Sequence, residues 1–358
     1  MIFEPFSLRG LELANRVVMS PLTRSRAVEH NTSNRLMATY YAQRATAGLI
    51  VTEGTSPSPN GLGYPRIPGL FNREHVAGWR LVTDAVHAQG GKIVVQLMHT
   101  GRVSHIDNLP AGATVMGPSS AVCPGEMQVD GKGPLPHTAP RAMTEDDIAA
   151  TVQEYADAAR LAIEAGFDGI ELHAANGYQL EQFLNANINL RTDGYGVTAE
   201  GRNRFVLEVA RAAVAAIGAD RVGIRLSPYG VVNAAGAYDG VDEQYIELVA
   251  ELSRLGLLYV HVLDHSAMGT PPVPVGIKAA LRAAFDGPFI AAGGFDKTSA
   301  EQALKGGQAD LVAFGRPFIA NPDLVERLRR DAPLNAPDPA TFYTPGAKGY
   351  TDYPTLAN

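Results

Sequence analysis

The sequence predicts an α/β protein: a (β/α)8 TIM barrel with an N-terminal hairpin and a capping insertion after the third strand. Eight short runs dense in Val and Ile recur along the chain, as strands buried on both faces should. Helix-like segments with apolar residues at i, i+3, i+4 lie between them, and eight is the number that closes such a barrel. The alternative is a doubly wound open sheet. No G-x-G-x-x-G follows the first run and no switch point is evident, which favours the barrel.

The runs are RVVMS (16–20), LIVTE (49–53), KIVVQL (92–97), GIELH (169–173), VGIRL (222–226), LYVHV (258–262), FIAAG (289–293) and LVAFG (311–315). The amphipathic segments are 35–47, 74–90, 146–166, 202–218 and 243–256. Thr144, followed by Glu145, Asp146 and Asp147, gives the third a polar start with acid in its first turn. Gly166 and Gly218 follow the ends of two helices. Residues 103–142, between the third strand and its helix, are rich in Pro and Gly and too long for an idle connection. EMQVDGKGPL carries a hairpin signal at Asp130-Gly131. The segment reads as a small cap over the barrel mouth, with a mobile surface loop as the alternative.

The 358 residues fit one barrel domain, 1–358, with ample sequence for a large core. The formal charge of -7 argues against general affinity for nucleic acid or anionic membrane. The one cysteine, Cys123, excludes an internal disulfide framework and suits a reducing, cytoplasmic setting. No basic-then-apolar leader is seen at the N-terminus, and no uninterrupted apolar stretch reaches the ~18 residues of a bilayer span.

Function in such barrels gathers where strands end. Those ends offer Pro21 and Thr23; Glu53 and Gly54; Gln96, Met98, His99 and Arg102; His173, Asn176 and Tyr178; Arg225; His261, Asp264 and His265; Gly293-Gly294; and Gly315-Arg316. The last two pairs suit a phosphate: glycine lets backbone N–H groups approach the oxygens and Arg316 adds a charged fork. Arg225 closes an apolar strand. It is either one half of an ion pair at the rim or, beside Gln96 and a phosphate site, a cation tuning a flavin. Gln96 offers the donor and acceptor that match the flavin's imide edge.

GIELHAANGYQLEQFL (169–184) begins as a strand and ends as a helix. Spacing of i, i+3 on a helical turn would bring His173 and Asn176 to one point, and Gly177 would let Tyr178 turn toward them. Two donors on one oxygen suit a developing enolate, and a nearby phenol suits protonation of carbon. Alternatively His173 caps the helix and Tyr178 packs on the cap.

With those residues in view, the chain resembles the Old Yellow Enzyme family of flavin mononucleotide (FMN)-dependent ene-reductases, in its classical branch. The likeness rests on ANRVVMSPLTRSRA, QLMHTGRVSH, ELHAANGYQLEQFLNANINLRTDGYG, IRLSP, AFGRPFIANPDL and GYTDYP, and spans nearly the whole chain. It implies that Thr23 bonds the flavin O4, and that Pro21, Gly54, Gln96 and Arg225 contact its ring and ribityl chain. Gly293, Gly294, Gly315 and Arg316 would hold the phosphate. His173 and Asn176 would hold the substrate's oxygen and Tyr178 donate the proton, with Tyr64 and Tyr350 lining the substrate side. FMN would be bound noncovalently, with NADPH or NADH a transient co-substrate entering the same mouth as an enone, enal, maleimide or nitroalkene. The protein would be a monomer or homodimer. One departure is Met98, where the family usually has tryptophan; a roomier pocket is expected. A rival reading is a zinc-dependent barrel hydrolase using His261, Asp264 and His265.

Overall fold

The structure, a computed structural model, describes residues 1–357. Eight parallel strands close a barrel in chain order: β1 (Val17–Met19), β2 (Leu49–Val51), β3 (Ile93–Leu97), β4 (Gly169–Ala174), β5 (Val222–Leu226), β6 (Tyr259–Leu263), β7 (Phe289–Ala292) and β8 (Leu311–Phe314), with β8 paired to β1. Every expected strand is present, within two residues at each end. Register places Glu171 opposite both Gln96 and Gly223, and His173 opposite Arg225, which is opposite His261.

Two apolar layers hold this cylinder. Val18, Val51, Val94, Tyr259, Ile290 and Leu311 fill the barrel interior near the strand starts. Leu8 and Leu13, from an antiparallel hairpin of Phe6–Leu8 and Leu11–Leu13, join that cluster and close the bottom. The outer layer, including Trp79, Tyr155, Phe183, Phe205 and Leu248, fills the space between strands and helices. Burying one such side chain contributes roughly 1.5–3 kcal/mol. The open end is therefore the end where strands finish.

The helices are α1 (Arg35–Ala42), α2 (Arg73–His87), α3 (Glu145–Glu164), α4 (Gln179–Leu184), α5 (Ala199–Ile217), α6 (Val241–Arg254), α7 (Val275–Ala284), α8 (Lys297–Lys305), α9 (Arg316–Ala320) and α10 (Leu324–Arg330). Thr144 and Asp147 form a reciprocal capping box that starts α3. Helices α4 and α7 to α10 are not among the segments found by apolar spacing. The Asp296–Ser299 capping box of α8 was a readable signal. Within residues 103–142, Glu126–Val129 and Gly133–Pro136 form the antiparallel hairpin expected around Asp130-Gly131. Met116–Gly117 pairs with Arg141–Ala142 and ties the segment's ends together.

Arg44 follows α1 and is fully buried. It donates to the carbonyls of Phe318 (2.9 Å), Ile319 (2.9 Å) and Tyr40 (2.8 Å), and its guanidinium lies 3.7 Å from the Tyr40 ring centroid. It thus anchors α9, the helix that begins with Arg316. Truncation strands buried carbonyls, each costing about 1–3 kcal/mol. Arg44→Ala should lower the unfolding free energy by about 3 kcal/mol or more in urea titration; a loss below about 0.5 kcal/mol would show that α9 is held by other contacts.

Candidate active site

The mouth of the barrel holds a cavity of about 590 Å³. Pro21, Thr23, Gly54, Gln96, Met98, His173, Asn176, Tyr178, Arg225, Gly293, Gly294, Gly315 and Arg316 all line it. They come from the ends of seven strands or the loops that follow them.

The wall at the end of β4 is built differently from the helical turn expected. His173 is still in the strand, and Asn176 is left-handed (φ 59°), followed by Gly177 (φ 71°). Tyr178 caps the short α4. The turn, not an i, i+3 helical relation, brings these side chains to one wall. Asparagine tolerates this backbone and glycine favours it.

The hydrogen bonds fix which atoms face the cavity. His173 Nδ1 accepts from the Ala175 N–H at 3.3 Å, so the ring proton sits on Nε2. Burial and the Arg225 charge hold this imidazole neutral, well below its ordinary range. Asn176 Oδ1 accepts from His265 Nε2 at 2.7 Å, leaving the amide Nδ2 as a free donor. The site therefore offers two neutral donors. Tyr178 stands edge-on to His173, with ring centroids 4.9 Å apart. Its hydroxyl donates to Tyr64 at 3.0 Å, and burial raises its pKa well above that of a free phenol, so the proton stays in place. Tyr64, partly buried, packs edge-on against Tyr178 with ring centroids 6.1 Å apart, and its hydroxyl accepts from the Tyr178 hydroxyl at the cavity's border.

Tyr350 also needs correction. It is fully buried outside the cavity, stacked on Tyr40 at 4.0 Å and 7°, with the Arg26 guanidinium 4.7 Å from its ring. Arg24 and Arg26 bond the carbonyls of Thr341, Phe342 and Gly349. This clamp brings Phe342 and Tyr343, which sequence reasoning missed, to the cavity in Tyr350's stead. Their neighbours 344–349 carry no periodic pattern that would have marked them.

Beneath the cavity lies Glu171, a fully buried acid two residues before His173 in β4. Its carboxylate accepts from Gln96 Nε2 at 2.7 Å and from His261 Nδ1 at 2.8 Å. Gln96 keeps its carbonyl oxygen and a second amide hydrogen for the cavity. Arg225 forms no ion pair among the described residues, and its buried Nε has no partner. That removes the rim-ion-pair reading and leaves a cation available to a ligand. His261 is engaged with Glu171 while His265 is engaged with Asn176, and no cluster suited to a metal ion occurs among the described residues. The zinc reading therefore loses its ligand set. Glu53, His99 and Arg102 do not line the cavity. Glu53 accepts from the backbone N–H groups of Arg24 and Ser25 and so supports the Thr23 segment, and its burial raises it to about 7.

The remaining wall fits a phosphate-bearing cofactor. A Cβ on Gly293 would meet the Asp264 backbone oxygen, and one on Gly294 would overlap Ala267. Glycine is required for so close a cradle. Arg316 is exposed at its edge, at the first residue of α9. Across the cavity, Thr23, Gln96 and Arg225 supply a hydroxyl, an amide and a cation to a flat polar ring system. The insertion approaches from above: Cys123 and Arg102 both donate to the Asn233 carbonyl, and Asn233 Nδ2 donates to the Asn176 carbonyl at 2.7 Å.

A parallel eight-stranded barrel with this mouth defines the class of barrel flavoprotein oxidoreductases. The family model for the NADH:flavin oxidoreductase / NADH oxidase family matches residues 1–335, and the chain belongs to that family. A probable flavin mononucleotide-dependent alkene reductase of Leishmania infantum is 41% identical over 362 residues, covering 99% of this chain and 98% of that protein. Morphinone reductase, solved with tetrahydroNAD, superposes with a TM-score of 0.94 at 44% identity, covering 100% of this chain and 98% of the other. An old yellow enzyme homologue from Zymomonas mobilis gives 0.95 at 36% identity, with 99% of both chains covered.

His265 is central to Asn176's orientation and must be neutral to leave Arg225 as the cavity's cation. Burial, then the Arg225 charge, lower it to about 4. Its contribution to stability is thus present above the unfolded value of about 6.5 and lost as pH falls toward about 4. Nuclear magnetic resonance should show no His265 imidazole titration between about pH 5.5 and 8; a midpoint near 6.5 would mean that the ring is solvated and does not orient Asn176.

Proposed function

We propose that the cavity is the active site of an FMN-dependent NAD(P)H ene-reductase acting on activated alkenes such as enones, enals, maleimides and nitroalkenes. One observation carries the assignment of roles: two neutral donors and a protonated phenol share one wall of a cavity whose other walls hold a glycine cradle and an unpaired cation. Bound there noncovalently, FMN would supply the hydride chemistry that couples a reduced nicotinamide to an activated alkene. Gly293, Gly294, Gly315 and Arg316 would hold its phosphate, and Pro21, Thr23, Gly54 and Gln96 its ring and side chain, with the Arg225 cation placed to favour negative charge on the ring.

His173 Nε2 and Asn176 Nδ2 hold the acceptor oxygen and stabilise charge as it develops there. Tyr178 delivers its hydroxyl proton to the α-carbon once that O–H turns from Tyr64, its acceptor in this structure, toward the substrate. Met98 borders the cavity where a larger side chain would narrow it. Residues 103–142 act as the cap of a single domain. The lone buried cysteine supports a reducing, cytoplasmic setting, for a protein we read as a monomer or homodimer.

Anaerobic stopped flow tests the division of labour. Tyr178→Phe should leave flavin reduction by NADPH largely intact and slow enone reduction, least of all for nitroalkenes, whose nitronate can be protonated in water. His173→Ala with Asn176→Ala should slow enone reduction at least about a hundredfold, because two charge-assisted hydrogen bonds contribute roughly 1.5–3 kcal/mol each. Equal slowing of both half-reactions by Tyr178→Phe would refute its role as proton donor.

Arg225→Ala should lower the flavin midpoint potential, by roughly 30 mV for each 1.4 kcal/mol of lost stabilisation. Redox titration with dye indicators reads this directly. A fully loaded variant with an unchanged potential would place Arg225 outside the cofactor's field.

A further inference from the structure

The left-handed turn that aims Asn176 is secured by a buried acid that takes no part in the chemistry above. Glu181 lies in α4 and is 1% exposed. Its Oε2 accepts the Gly177 N–H at 2.5 Å. The Ser227 hydroxyl donates to the same carboxylate at 3.0 and 3.1 Å, and Tyr245 donates to Oε1 at 3.3 Å. Ser227 Oγ in turn accepts the Asn176 N–H at 2.9 Å. One carboxylate therefore holds two successive backbone N–H groups, one directly and one through a serine. Successive N–H groups in a turn form a concave anion site, and here the protein fills it with its own side chain.

No Lys or Arg pairs with Glu181 among the described residues; every partner is a neutral donor. Burial raises its pKa to about 7. An acid kept at that cost in a six-residue helix calls for a compensating role. The two residues it grips are those whose positive φ the site depends on. Gln182 completes the grip by donating to the Gly177 carbonyl at 2.8 Å.

We infer that Glu181 is a positioning residue: through Ser227 and the Gly177 N–H it fixes the Asn176–Gly177 turn, and so the second donor of the oxygen-holding pair. This rests on the reading of His173 and Asn176 given above. Glutamine at 181 keeps the shape and can still accept the Gly177 N–H, but its NH2 then faces the Ser227 and Tyr245 hydroxyls, which must reverse, and on Ser227 Oγ it competes with the Asn176 N–H that the serine already accepts, loosening the hold on Asn176. The glycine cradle at the ends of β7 and β8 lies on other strands and is left in place.

The test uses the flavin-loaded protein and 4-chlorophenol, whose phenolate in an oxygen-holding site gives a long-wavelength charge-transfer band with oxidised flavin. Glu181→Gln should raise the 4-chlorophenol Kd at least tenfold and diminish the band, with flavin content and midpoint potential unchanged. Ser227→Ala should weaken binding in the same direction. In an Asn176→Ala background, Glu181→Gln should have no further effect, because its influence passes through Asn176. An unchanged Kd in a loaded Glu181→Gln variant, or an undiminished effect in the Asn176→Ala background, overturns the inference. If Glu181→Gln does not fold or load, Ser227→Ala decides by the same two criteria. A wild-type protein that binds flavin but gives no band with 4-chlorophenol would instead sink the oxygen-site reading itself.

Discussion

The site depends on a backbone constraint: the chain must leave β4 through two successive left-handed residues before α4 begins. The constraint is met by local chemistry, with Asn176 and Gly177 tolerant of the conformation and their N–H groups tied to Ser227 and Glu181. It is reinforced from outside the junction. Asn233, itself left-handed (φ 55°), bonds the Asn176 carbonyl, and His265 bonds its side chain. The loops after β4, β5 and β6 thus meet at Asn176, and the insertion reaches only Asn233 behind it. Strained residues gathered at such a place are expected where geometry is held for function.

Electrostatics in the barrel follows from the same economy of charge. Arg225 enters the cavity as a cation without an ion pair, and His173 and His265 are kept neutral around it. Glu171 lies deeper and is satisfied by Gln96 and His261. Its charge moderates Arg225 without neutralising it by contact. A cofactor that gains negative charge on reduction is the partner such an arrangement suits. The acid also dictates how Gln96 presents its amide, so a residue that touches no ligand shapes one that does.

Much of this was legible in the sequence because burial on both faces leaves a dense Val/Ile signature in parallel strands. All eight strands and the residues at their ends could be read from it. What escaped has physical reasons. The turn at Asn176 was read as helical because i, i+3 spacing is blind to a positive φ. Tyr350 was carried to the substrate side by motif likeness, although the Arg24 and Arg26 clamp buries it and advances Phe342 and Tyr343. Glu171 was the most readable omission, since a carboxylate inside an apolar strand must find partners. Glu181 was less so: in a polar-looking helix start, nothing in the pattern marks it as buried.

The central claim is that His173 and Asn176 present their hydrogens to one shared oxygen. A crystal structure of the flavin-loaded protein with 4-chlorophenol tests it most directly. The account predicts the phenolate oxygen within about 3.2 Å of both His173 Nε2 and Asn176 Nδ2, with the His265–Asn176 hydrogen bond intact. A phenolate held by other groups, or Asn176 turned so that its carbonyl faces the cavity, would contradict it.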